Sequence, residues 1–168
     1  MKKVKKSQLK EYVQSIVKKS LNEAGVWNTI KNATCMNKRN QQNLQIKKQT
    51  LDTINKWMQD SAGLPFFQNV YNELRAAIQK NPVVVNGYLL TNLKNSLNLD
   101  SFGPEVVKTK DVLLNLFNST ILTNKMVEFD YDWVKEVMEA ILQITYAVKN
   151  TAKNLTNEIA QMEHQLNK

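Results

Sequence analysis

Few residues in this 168-residue chain are of the kinds that do chemistry. A histidine beside a partner can serve as a general base, a cysteine thiolate can act as a nucleophile, and two carboxylates across a cleft can share proton transfers. The sole histidine, His164, stands near the C-terminus among Glu163, Gln165 and Asn167, and reads as a solvated surface residue. The sole cysteine, Cys35, has no histidine near it in sequence and reads as a buried or half-buried structural thiol. It cannot form an internal disulfide, which fits a reducing compartment or a protein that needs no staples. Glu128, Asp130 and Asp132 in EFDYDW form an acidic cluster. A divalent cation would want more oxygen ligands and a glycine to turn the loop, whereas Asp130 or Asp132 as a helix N-cap accounts for the cluster. Glu158 and Glu163 are five residues apart, so on a helix they point to different faces and make no di-metal motif. No glycine-rich phosphate loop and no Cys/His zinc spacing occurs. The expectation is a protein with no catalytic residue, no metal site and no cofactor.

The elements that would position any site are helices. Hydrophobic residues make up 42% and charged residues 23%, enough to build a core without disulfides or metal. Four glycines and three prolines leave few turns, which favours a few long helices. Leu9, Tyr12, Val13, Ile16, Val17, Leu21 and Ala24 recur at spacings of three and four, and Gly25 is placed to end that helix. A second helical stretch runs from 26 to 60, with Ile30, Leu44, Leu51 and Met58 at multiples of seven. Its polar middle, NKRNQQN at 37–43, means either that the helix crosses open solvent there or that it breaks into two, and two helices joined near 37–42 is the favoured reading. Pro65 suits the first turn of a helix carrying Phe66, Phe67, Val70, Tyr71 and Leu74. The passage NPVVVNGYLLTN reads either as a short β-hairpin near 83–90 turned by Asn86-Gly87, or as a turn into a helix over 88–97. Val106, Val107, Leu113, Leu114, Phe117 and Ile121 predict a helix from Pro104 to about Asn124. The last helix opens at Asp130 or Asp132. Val134, Ile141, Val148, Leu155 and Met162 fall at intervals of seven, with Val137, Ile144, Ile159 and Leu166 between them. That seam of about five heptads predicts a helix on the order of 50 Å long, whose end must pack on the second helical stretch or on another chain. The fold class expected is all-α: a bundle of five to six helices with a long C-terminal helix. In domain terms this means a basic amphipathic arm over 1–25 and a bundle over 26–168.

Charge is the functional clue. Residues 1–60 hold 13 basic and four acidic side chains, a balance of +9, while residues 61–168 balance at −1. A polyanion would meet the first third. Lysine makes point-charge phosphate contacts, whereas base reading recruits arginine, and Arg39 is the one arginine there. Any nucleic-acid binding through residues 1–60 should then be non-specific and salt-dependent. No apolar run reaches the ~18–20 residues of a transmembrane span. After the Lys2–Lys6 cluster, Lys10, Glu11, Gln14 and Lys18 interrupt what would be a secretory apolar region, so the chain is not expected to be secreted.

The segment SQLKEYVQSIVKKSLNE, residues 7–23, resembles the short N-terminal helix, of the form LK(E)xVxxIVKxxLNE, found on small virion proteins of tailed bacteriophages, marine ones especially. The resemblance implies a non-enzymatic structural component of a phage particle (capsid-associated, neck or tail), located in the virion or host cytoplasm. It carries over no functional residues. From spacing and charge, Leu9, Val13, Ile16, Val17 and Leu21 are the candidate docking residues, facing other proteins of an assembly or copies of this chain. Lys2, Lys3, Lys5, Lys6, Lys10, Lys18 and Lys19 are the candidate polyanion contacts. The alternative function is non-sequence-specific nucleic-acid binding by the basic first third.

Overall fold

In a computed structural model, residues 6–168 are described, with side-chain environments from Lys10 onward except at 20–24 and 26–28. They form α1 (Lys6–Gln59), α2 (Leu64–Ala77), β1 (Val84–Asn86), α3 (Gly87–Asn95), a 3-10 turn (Asp100–Phe102), α4 (Pro104–Asn118), β2 (Met126–Glu128) and α5 (Tyr131–Leu166). This is the all-α bundle with a long last helix that the apolar periods predict. By its internal packing the chain divides into residues 1–44 and 45–168.

The core belongs to the 45–168 unit. Its spine is α5, about 54 Å long at 1.5 Å per residue over 36 residues. Val134, Val137, Ile141, Ile144 and Val148 are all buried, so the predicted seam is the packed face of the helix. α4 and α2 both pack against α5. Burial of each such aliphatic contributes about 1.5–3 kcal/mol. The last turns of α1 close the core: Ile54 is fully buried, and the Trp57 ring meets Phe67 and Phe102 edge-on at 5.1 and 5.7 Å. At the opening of α5, Trp133 stacks on Phe129 at 5.0 Å, and its Nε1 donates to the Leu116 carbonyl at 3.2 Å, tying α5 to α4. The far end of α5 is half-buried rather than free. Leu155 packs against the core, and Glu158 and Glu163 pair with Lys47 and Lys48 of α1. Exposed pairs of this kind contribute only about 0–1 kcal/mol, so the apolar contacts hold this end and the ion pairs align it.

Four sequence expectations differ from what forms. Gly25 does not end a helix: α1 passes through it, and its carbonyl accepts from the Thr29 hydroxyl at 3.0 Å. Left-handed backbone is confined, among the described residues, to Gly103, so Gly25 is not a C-cap. The polar run 37–43 likewise stays helical inside α1, with its side chains exposed. α4 stops at Asn118, which leaves Ile121 exposed in the following loop. The hairpin over 83–90 is replaced by something between the two alternatives. Val84–Asn86 is a strand, but it pairs antiparallel with Met126–Glu128, and Asn86 caps α3 by accepting from the Tyr88 N–H at 3.0 Å.

Lys110 of α4 is a buried basic residue with a defined partner set. Its Nζ lies 2.6 Å from the Asp100 carboxylate in the 3-10 turn and 3.0 Å from Asp111, while both acids remain exposed. The aliphatic stem is covered and the ammonium snorkels to the acids. The hydrogen bond that the ammonium donates to Asp100, then that to Asp111, raises the Lys110 pKa above its ordinary 10.5. A group raised in the folded state adds stability that is complete below the unfolded pKa and is lost as pH climbs through the folded one. We therefore expect the melting-temperature gap between the native chain and Lys110→Met to hold constant from pH 7 to 10 and to narrow above pH 10.5. A gap that ignores pH would show that the ammonium does not hold the turn.

Candidate interaction surface

Residues 10–43 of α1 form a helix whose described side chains are all exposed. The chain has good reason to be helical here. Proline, which would break it, is absent, and the hydroxyls of Ser15, Thr29 and Thr34 turn back to carbonyls three or four residues earlier, a bond that a helix tolerates. It has less reason to stay helical alone. Solitary polar helices hold together through many i,i+4 ion pairs. Among the described residues, the ion pairs of α1 involve Lys47, Lys48 and Lys56, all beyond this segment.

The predicted docking residues keep their face on this helix and stand in water. Tyr12, Val13, Ile16 and Val17 are 65, 51, 47 and 52% exposed. Leu9 and Leu21 lie on the same helix, and their side chains fall outside the described residues. Lys10, Lys18 and Lys19 are exposed on it as well. Lys6 begins the helix with its side chain outside the description, and Lys2, Lys3 and Lys5 fall outside the described residues altogether. Cys35, expected to be half-buried or better, is exposed on α1. Charge separates the two units more sharply than the sequence division does. Residues 1–44 carry ten basic and two acidic side chains, a balance of +8, and residues 45–168 carry 13 of each, a balance of zero.

No protein-family model, curated protein or solved structure matches this chain.

Sequence reasoning missed a second surface. Between α4 and α5 of the bundle runs a groove of about 400 Å³ lined by Thr109, Val112, Leu116, Glu136, Ala140 and Gln143. A neighbouring hollow continues it past Lys108 and Tyr146. Val112 and Tyr146 are exposed apolar residues on its walls. Neither stands out in a periodicity analysis, because each sits one helical position away from the buried stripe of its own helix. The groove brings two carboxylates, Glu136 and Glu139, to one rim with no histidine, cysteine or base opposite them. Among the described residues, no group of three or more His, Cys, Asp or Glu stands together as a metal site, and no helix is long and apolar enough to cross a membrane. The predicted acidic cluster also resolves into helix geometry. Asp130 occupies the N-cap position of α5 without a side-chain cap bond, and Asp132 lies in the first turn, where a negative charge suits the helix dipole.

What this arrangement can do is bind. An apolar row on an accessible helix, ringed by lysines, offers a partner buried area in the middle and charge at the edge.

Proposed function

We propose that this protein is a non-enzymatic assembly component that docks through the helix over residues 10–43, as part of a larger particle. The observation that carries the reading is the exposed row Tyr12, Val13, Ile16 and Val17 on a helix with no ion pairs of its own among its described residues. Most helical stability in proteins comes from packing an amphipathic face, and seating these side chains would add about 1.5–3 kcal/mol each. The resemblance of residues 7–23 to terminal helices of tailed-phage virion proteins makes a phage particle the assembly of choice, with the virion or host cytoplasm as its location.

A second reading rests on the charge balance of +8 confined to residues 1–44: a non-specific polyanion arm. The two separate by a pair of variants. Val13→Ser/Ile16→Ser is expected to abolish incorporation into the particle, while the seven-lysine-to-glutamine variant of the opening segment is expected to weaken it only at low salt. Exposed charge pairs contribute too little, about 0–1 kcal/mol each, to outweigh the apolar row. A nucleic-acid arm gives the reverse order. The lysine variant would then lose duplex DNA in gel-shift titrations, and binding to the native chain would fall steeply between about 50 and 200 mM salt.

A further inference from the structure

The outward side of α5 carries its charges in an order. Opposite the buried seam, Asp132, Glu139, Tyr146 and Lys153 fall at intervals of seven, and all four are exposed. Residues 132–139 hold Asp132, Glu136 and Glu139 against Lys135, a balance of −2. Residues 140–145 are uncharged, and residues 146–153 hold Lys149 and Lys153, a balance of +2. Glu105 and Lys108 of α4 flank the basic end near Tyr146 with one charge of each sign, so they leave that order unchanged. In the middle Leu142 and Tyr146 stand exposed, and so does Val112 of α4, which lines the groove alongside.

We propose that this face of α5 packs on the same face of a second copy of the chain, antiparallel, about a two-fold axis at residues 142–143. The surface lies wholly on the bundle and owes nothing to how the first helix docks. The charge order selects the occupant. A two-fold contact sets residue i against j and j against i, so each acidic end meets the basic end of the other copy. By level along the helix, Asp132 comes opposite Lys153, and Glu136 opposite Lys149. Lys135, the one base in the acidic end, comes level with Asn150 and lies over its own Tyr131 ring at 5.5 Å. A parallel pairing would instead set −2 on −2 and +2 on +2. Leu142 and Tyr146 of both copies lie within about one turn of the axis. There they supply the apolar centre of the contact, and Val112 adds to its flank. Exposed ion pairs are weak one by one, so the apolar centre holds the pair and the charges set its direction. Net charge does not oppose it either. Residues 45–168 balance at zero, whereas two copies of residues 1–44, at +8 each, repel.

The test is sedimentation equilibrium of the full chain at low salt, expected to give twice the 19.4 kDa chain mass at micromolar concentration. Leu142→Ser/Tyr146→Ser should raise the dimer dissociation constant by about a hundredfold or more, since two apolar side chains per copy leave the contact. Charge reversal then reads the direction. Glu136→Lys/Glu139→Lys turns the acidic end from −2 to +2, and Lys149→Glu/Lys153→Glu turns the basic end from +2 to −2. Each pair of changes alone should weaken the dimer by about tenfold or more at low salt. All four together exchange the two ends and should restore the native constant, a rescue that damage to the fold would not give. All these positions are exposed, so far-UV circular dichroism should match the native chain in each variant. A native chain that stays monomeric overturns the pairing. So does a dimer whose constant is unmoved by the two serines, or one that the fourfold exchange fails to restore. None of these results bears on docking through residues 10–43, which the incorporation experiment above decides.

Discussion

Ile141→Asp is expected to unfold the 45–168 unit at room temperature. Ile141 is 1% exposed in the first third of α5, a helix that packs against both α4 and α2, and the seam residues Val137, Ile144 and Val148 are buried as well. Truncating such a residue alone removes about 2–5 kcal/mol. The aspartate then stands in the buried apolar cluster, where it must either stay charged or take up a proton, at several kcal/mol more. A domain of this size has about 5–15 kcal/mol in total, so the sum reaches or exceeds what is available. Lys149→Ala and Lys153→Ala, on the exposed side of the same helix, should change stability by no more than about 0.5 kcal/mol. Far-UV circular dichroism read during thermal melting tests all three together. An Ile141→Asp chain that melts within a few degrees of native would mean that α5 does not bury this face.

Why α5 was readable and other elements were not comes down to how each signal is produced. A seam such as Val134–Ile141–Val148 repeats because one face is buried for many turns, and repetition survives noise. Pro65 was equally readable, since a missing N–H suits only the first turn of α2. Single-residue signals are weaker because one residue type serves several ends. Gly25 has the composition of a helix stop, but stopping requires a left-handed backbone that the sequence does not display, and the helix runs on. The polar run 37–43 lacks an apolar stripe, which for a helix exposed all round carries no information about continuity. The same accounting applies to the surface. Tyr12, Val13, Ile16 and Val17 were legible because their spacing is local. The α4–α5 groove was not, because Val112 and Tyr146 come together only through the packing of helices distant in sequence.

Gly87→Ala should be strongly destabilising, and the comparison with Gly25→Ala shows why. Asn86-Gly87 resembles a hairpin turn, yet no turn of that kind forms. Instead Gly87 sits where β1 passes into α3, and its N–H donates to the Lys125 carbonyl at 2.8 Å, extending the β1–β2 pairing by one bond. At the other end the Phe129 N–H donates to the Val83 carbonyl at 2.9 Å, so the three ladder residues are flanked by a bond on each side. A two-stranded sheet is marginal alone, and this one joins the loop after α4 to the body of the bundle. A Cβ at position 87 would lie 1.8 Å from the Thr123 carbonyl oxygen and 3.0 Å from its carbon. Both are backbone atoms, which cannot step aside as a side chain could. Relief requires the 123–126 segment to move, breaking the 2.8 Å bond and uncoupling β2 from β1. With one hydrogen bond lost, a ladder disrupted and buried Val85 opened to water, destabilisation on the order of 3 kcal/mol or more is expected. At Gly25 an added Cβ meets nothing within 4 Å, and the helical backbone accepts alanine, so the same change should stabilise α1 by about 0.5–1 kcal/mol. Urea unfolding followed by Trp fluorescence for the bundle, and helicity by circular dichroism for α1, would separate the two. A Gly87→Ala chain as stable as native would show that residues 123–125 do not lie against this glycine. A Gly25→Ala chain of lower helicity would show that α1 bends or ends there.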